Sequence, residues 1–180
     1  MNAHTTALQW EISELPRGDD EALAQLTDVL IDCVEGGASV SFMLPLERDH
    51  AMGFWRRAAR DAQEGQRALL VARDAQGICG TVQLILDLPD NQPHRADVAK
   101  MLVRRRARRQ GLGAALMRAA EAAARARGRS LLVLDTVTNS EAARLYERLG
   151  WVRVGDIPRY ALWPRGGFVG TTYYYRDLSG

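Results

Sequence analysis

The stretch from Asp97 to Gly113, DVAKMLVRRRARRQGLG, constrains this chain more than any other. It reads as an extended run, an arginine-rich turn and a glycine-bearing helix start. The helix after Gly111 carries Leu112, Leu116, Ala119, Ala120, Ala123 and Ala124 at helical spacing, and Gly128 ends it. Leu131 to Leu134 follows as a short, fully apolar run, the pattern of a buried parallel strand. A strand, a helix and a second strand in one sheet form a right-handed crossover, so the two strands are predicted to be parallel neighbours.

The rest of the chain supplies the remaining layers. Alternation from Leu8 to Ile12 predicts a first strand. Asp19 or Asp20 caps a helix running to about Glu35, with Leu23, Leu26, Val29, Leu30 and Cys33 or Val34 on its inner face. Gly36 to Pro45 (GGASVSFMLP) is a loop too apolar for an ordinary solvated connection, which predicts that it packs over something. A second helix runs from about Leu46 to Glu64, with Met52, Trp55, Ala59 and Ala62 inward. Arg67 to Arg73 and Ile78 to Leu86 form a hairpin about Asp74-Ala75-Gln76-Gly77. Arg95 to Val103 is a third long strand, Ser140 to Leu149 a helix, and Val152 to Ile157 and Thr171 to Asp177 the final strands. There is no repeat, low-complexity tract or linker, so a single α+β domain over residues 1–180 is expected.

Composition narrows the classes of function. A chain of 180 residues suits one domain. It has no apolar run long enough to span a membrane. The opening MNAHTTALQWEISELP lacks a basic segment followed by an apolar core, so no secretory signal is read. Cys33 and Cys79 have no CxxC spacing, which argues against a disulfide framework or a zinc site; a cytoplasmic protein without metal is expected. The net charge of +2 does not advertise nucleic-acid binding. The basic charge is nearly all arginine, Lys100 being the only lysine, and Arg104, Arg105, Arg106, Arg108 and Arg109 sit together beside Gly111.

That cluster precedes a helix N-terminus, where backbone N–H groups are unpaired and a partial positive charge develops. Gly111 and Gly113 carry no side chain to block an anion, and Arg108 and Arg109 add charge, so the expected ligand is a phosphate or pyrophosphate. A Walker A loop is absent, and Leu116 occupies the third glycine position of a dinucleotide fingerprint. What remains is [Q/R]xxGx[G/A] between a strand and a helix. This loop, together with Asn139-Ser-Glu-Ala142-Ala-Arg-Leu-Tyr146-Glu-Arg-Leu-Gly150-Trp151, resembles the GNAT acetyltransferases and their NxxAxxxYxxxGF segment, with Trp for Phe. The resemblance covers roughly Arg67 to Asp177. GGASVSFM, RADVAKMLV, LLVLDTVTNSEA and VGDIPRYA are further similar to the tabtoxin-resistance type of GNAT enzyme.

The resemblance implies a three-layer fold with a mixed sheet of about seven strands and about four helices. It implies acetyl-CoA as cosubstrate. The pyrophosphate would lie on Arg108, Arg109, Gln110, Gly111, Leu112, Gly113 and Ala114, and the pantetheine arm on the backbone of Met101, Leu102 and Val103. Asn139, Ala142 and Tyr146 would face the cofactor; Asn139 and Tyr146 are seven residues, two helical turns, apart, so both can face the same side. Tyr146 would return a proton to the departing thiolate, the alternative being a core aromatic. Strand alternation puts Asp97, Ala99, Met101 and Val103 on one face, with Val98, Lys100 and Leu102 on the other. The resemblance makes Asp97 a candidate base, with the right parity, the alternatives being a solvated strand-start aspartate or a partner for Arg95; Asp135 is a candidate base, ammonium ligand or cap. His50 and His94 are alternatives without a tie to the site, while Glu47, Trp55 and Ser39 to Phe42 are candidates to line an acceptor pocket.

The implied activity is transfer of an acetyl group to a primary amine of a small molecule by direct attack in a ternary complex. A protein acetyltransferase, a non-catalytic CoA-binding protein and a nucleic-acid-binding module are the competing readings. The expected assembly is a monomer or homodimer.

Overall fold

A computed structural model describes residues 10–15 and 19–180. Along the chain run β1 (Glu11–Glu14), α1 (Asp20–Glu35), α2 (Arg48–Gln63), β2 (Arg67–Asp74), β3 (Gly77–Ile85) and β4 (Arg95–Val103). A three-residue 3₁₀ turn, Arg105–Ala107, leads into α3 (Leu112–Arg125). Then come β5 (Leu131–Val137), α4 (Glu141–Arg148), β6 (Val152–Leu162) and β7 (Phe168–Asp177). The strands form one seven-stranded sheet in the order β1-β2-β3-β4-β5-β7-β6. Only β4 and β5 are parallel, as the crossover through α3 requires.

The sheet separates two apolar layers. On one face Leu112, Leu116, Met117, Ala120 and Ala124 of α3, with Ala143 and Tyr146 of α4, pack on Leu70, Val82, Leu84, Ala96, Val98, Leu132 and Leu134. On the other, Leu26, Leu30 and Cys33 of α1 and Trp55, Ala58 and Ala59 of α2 pack on Leu69, Val71, Ile78 and Leu102. Each fully buried Leu or Met contributes about 1.5–3 kcal/mol relative to exposure. Asp19 caps α1 by accepting from the Ala22 amide at 2.7 Å.

Three departures from the sequence pattern bear on the site. The first strand lies at Glu11–Glu14, and the Leu8-Gln9 part of the expected strand is outside the described residues. The last hairpin is longer than expected, because β6 continues past Pro158 to Leu162. A proline is tolerated there because β6 is an edge strand. The register also slips between Ile157 and Ala161, where Arg159 has φ +56°.

The third departure concerns strand parity. In β4, Thr81 faces Leu102 and Gln83 faces Ala99, so β4 carries one residue more than β3 between these pairs. The extra residue is a bulge, with Lys100 at φ +50°. Ala96 and Val98 pack on the α3 side, and beyond the bulge so do Met101 and Val103. Asp97 and Ala99 therefore do not share a face with Met101 and Val103, contrary to simple alternation. The Lys100 side chain goes to the α1–α2 side, where its ammonium lies over the Phe54 ring, 5.6 Å from the centroid.

Candidate active site

β4 and β5 pair only from Arg95–Leu131 to Asp97–Val133 and then diverge. Beyond Asp97 the facing backbone of β4 has no strand beside it. The gap opens into a cleft of about 1280 Å³. Its walls are β4 from Val98 to Val103, the start of α3, the end of β5, α4 and the Gly36–Ser41 loop. Met101, Leu102 and Val103 thus border the cleft.

At one end lies the start of α3. Gly111 is its N-cap, at φ +86° and with no side-chain cap. A Cβ added at Gly111 would meet nothing within 4 Å, so the space before the helix is open. Left-handed backbone and an unobstructed helix mouth are both reasons for glycine at this position. Gly113 has a different reason. A Cβ there would sit 3.1 Å from Leu145 Cδ2, so its absence lets α3 approach α4.

The arginines are less free than their sequence suggests. Arg105 bonds Asp32, Arg106 bonds Asp74, and Arg109 pairs with Glu141 at 3.1 Å. Arg108 turns inward and donates to the Val103 carbonyl at 3.0 Å. Its guanidinium still lines the cleft, together with Arg109 and with Arg118, Arg144 and Arg148, which the sequence reading did not single out. Arg144 and Arg148 are four apart on α4, a spacing that could have revealed them. Gln110 bonds back to the Arg106 carbonyl at 3.2 Å and is not in the cleft wall.

Tyr146 is buried and lines the cleft. Trp151 and Tyr174 pack around its ring at centroid distances of 6.0 and 6.1 Å. Among the described residues its hydroxyl has no hydrogen-bond partner. Burial first, and the negative charge of Asp135 second, raise its pKa well above that of a free tyrosine, so the proton stays on. Ala142 lines the cleft as well, but Asn139 does not. Ser140 caps α4 by accepting from the Ala143 amide at 3.1 Å, which leaves Asn139 outside the helix at φ +60°. The two-turn argument that aligned Asn139 with Tyr146 therefore fails: only Tyr146 is helical.

On the α1–α2 side of the sheet the cleft wall contains Asp135, Lys100 and Ser41. Thr171 donates to Asp135 at 2.7 Å and fixes its carboxylate. Asp97 lies outside the cleft wall, ion-paired with Arg95 on its own strand. The Gly36–Pro45 segment does cover something, as its apolar character predicts. Ser39 donates to the Leu162 carbonyl at 2.9 Å and the Leu44 amide to the Pro164 carbonyl at 2.9 Å, so the loop bridges the cleft to the β6–β7 hairpin. Tyr160 and Trp163 of that hairpin line the same space. Glu47, His50, Trp55 and His94 do not line the cleft, and Phe42 and Trp55 are buried packing residues. Cys33 and Cys79 are buried free thiols, and among the described residues no group of three or more His, Cys, Asp and Glu side chains is placed to hold a metal ion.

Residues 65–153 match the family model for the acetyltransferase (GNAT) domain. This chain carries a GNAT domain. Solved structures extend the likeness of fold to nearly the whole chain. An N-acetyltransferase from Staphylococcus aureus is 16% identical with a TM-score of 0.77, covering 94% of this chain and 99% of that one. A Salmonella typhimurium protein described as an acetyltransferase with its cofactor acetyl-CoA is 17% identical, with a TM-score of 0.76 and 95% of each chain covered. A ribosomal-protein-alanine N-acetyltransferase from Brucella melitensis is 18% identical with a TM-score of 0.76, covering 93% of this chain and 99% of that one. The mixed seven-stranded sheet flanked by four helices is the GNAT fold. The GNAT domain's matched segment contains β4, the Gly111 turn, β5 and α4, which carry most of the cleft.

Proposed function

We propose that this chain is an N-acetyltransferase that uses acetyl-CoA and acetylates a primary amine of a small molecule. The observation that carries the proposal is the divergence of β4 and β5 in front of an open, uncapped helix start. The donor set fits the cofactor: free α3 amides and Arg108, Arg118, Arg144 and Arg148 suit its phosphates, and the unpaired β4 edge at Met101 and Val103 suits an extended amide-bearing arm. Bound acetyl-CoA supplies the thioester whose acetyl group is transferred by direct attack of the amine.

This chain's residues then have separate tasks. Tyr146 holds a proton at its hydroxyl, ready for a thiolate, because burial disfavours the phenolate. Asp135, anchored by Thr171, receives and orients the acceptor's ammonium and takes one proton from it, so that the neutral amine attacks; the proton the nitrogen loses on acylation replaces the one Tyr146 gives to the thiolate. Asp97 is engaged by Arg95, which favours Asp135 over Asp97 for the acceptor side. The Ser39–Leu162 and Leu44–Pro164 bridges close the acceptor side over, which supports a small molecule in preference to a polypeptide.

The test is thiol release from acetyl-CoA against a panel of amines, amino acids, antimetabolites and peptides. Tyr146→Phe should lower kcat by about 10²-fold with little change in CoA affinity. No thiol release with any acceptor, despite acetyl-CoA binding, would leave a non-catalytic CoA-binding protein. A response confined to peptides would move the acceptor to protein N-termini or lysines.

A further inference from the structure

Lys100 is the only lysine in the chain, and it stands at the most constrained position of β4. Its φ of +50° is the left-handed region, where a long side chain costs more than Gly or Asn would. The bulge aims the ammonium into the cleft beneath the Gly36–Ser41 loop. There its one hydrogen-bond partner among the described residues is the Ser41 hydroxyl, at 3.2 Å. No carboxylate of the described residues forms an ion pair with it. Asp97 is paired with Arg95 and Asp61 with Arg67, while Asp135, held by Thr171, lines the same cleft without an ion pair to Lys100.

The sheet around Lys100 is rich in donors. Gln83 pairs across the ladder with Ala99 and is fully buried. Its Oε1 accepts from Arg67, which leaves its Nε2 without a partner, and Arg67 Nε is also buried and unpartnered. A half-buried ammonium beside such a surplus of donors has no carboxylate in ion-pair contact, which leaves room for one brought by a ligand. Burial, followed by the nearby Arg67, pulls the Lys100 pKa down, and the weaker pull of Asp135 does not reverse this.

We infer that Lys100 is the counter-ion for a carboxylate carried by the acceptor, so that the substrate class is amino acids with a free carboxylate. Asp135 takes the ammonium end and Lys100 the carboxylate end of one zwitterion under the loop. The inference rests on the transferase reading above and names its acceptor.

Two measurements test it. The first needs no turnover. Because the chain has one lysine, reductive methylation followed by peptide mass spectrometry reports on Lys100 alone among side-chain amines. A pool of N-acetyl amino acids should slow methylation of Lys100, and the matching pool of N-acetyl amino-acid amides should not. Equal protection by both pools, or by neither, overturns the inference. The second compares thiol release with amino acids and with their amides. Wild type should favour the acids by on the order of 10- to 100-fold in kcat/KM, the range of one charge-assisted contact. Lys100→Met should collapse that ratio toward one, and Lys100→Arg should restore part of it. An unchanged ratio in a Lys100→Met chain that melts like wild type refutes the role. Thiol release with amides and peptides but not amino acids overturns the carboxylate subsite and leaves the transferase standing. Acetyl-CoA binding without release to any amine refutes the transferase itself. Acetylation of Lys100 by acetyl-CoA in the absence of acceptor would show the amine to be neutral and exposed to the thioester, which also overturns its role as a counter-ion.

Discussion

Substituting Gly111 separates the cost to the fold from the cost to the ligand. Nothing lies within 4 Å of the Cβ that alanine would add, so packing is unaffected and only the φ of +86° opposes it. Holding a non-glycine residue there costs about 1 kcal/mol. For a domain of this size that lowers Tm by about 2–4 °C. Gly111→Ala should therefore fold, melt slightly early and bind acetyl-CoA about tenfold more weakly, the loss of roughly one charged amide contact. Gly111→Glu has the same backbone cost and adds a carboxylate at the mouth of α3. Taking about 5 Å to the pyrophosphate and an effective dielectric of about 40, each phosphate charge is repelled by about 1.7 kcal/mol. Two such charges give about 3 kcal/mol, or on the order of 200-fold in Kd. Titration calorimetry at low and high salt resolves the parts, because screening shrinks the glutamate's excess defect but not the alanine's. Equal affinities for wild type and both variants, with Tm falling as expected, would place the cofactor phosphates elsewhere and refute the cradle.

Two further outcomes concern stability. The indole of Trp151 donates to Glu121 at 3.2 Å inside the α3 layer, so Glu121→Ala should destabilise by about 1–3 kcal/mol in urea titrations, through an unpartnered buried N–H. An effect within error would show that the indole finds another acceptor. Stability should also fall in alkali. Burial lifts Cys79 to about 11 and, joined by its bond to Glu147, Tyr174 to about 12, and it raises Tyr146 further. The unfolded chain sheds these protons near pH 9 for Cys and pH 10 for Tyr, while the folded chain keeps them, so the stabilisation is complete below pH 9 and lost above it. Melting temperatures that stay level from pH 8 to 11 would contradict this.

Much of this was legible in the sequence because the signals were local. The Asp19 cap, the Gly111 turn and the Arg95–Val103 strand lie where residue chemistry places them. The parity of β4 was not legible. A bulge is decided by pairing with β3, and Lys100, unlike a glycine, gives no sign that its φ is positive. That Asn139 lies outside α4 was not legible for a similar reason. Its spacing from Tyr146 fits a helix, but Ser140 takes the cap and the helix starts one residue later, at Glu141. The arginine run looked like free charge because its acidic partners, Asp32, Asp74 and Glu141, are distant in sequence. The Gly36–Pro45 loop was read as a cover from its apolar residues, but what it covers depends on the β6–β7 hairpin, whose full length Pro158 concealed.

The extra residue in β4 also bears on how such a protein can change. Upstream of it, Asp97 and Ala99 share the α1–α2 face with Lys100; downstream, Met101 and Val103 point to the opposite layer. Ala99 and Lys100 thus lie on the opposite face of the sheet from Met101 and Val103. A lineage can retune the chemistry it accepts at positions 99 and 100, whose side chains lie away from that layer. A single-residue deletion at the bulge would exchange the faces of every residue beyond it. Point substitution is therefore the gentle route to new specificity in this strand, and a change of length the destructive one.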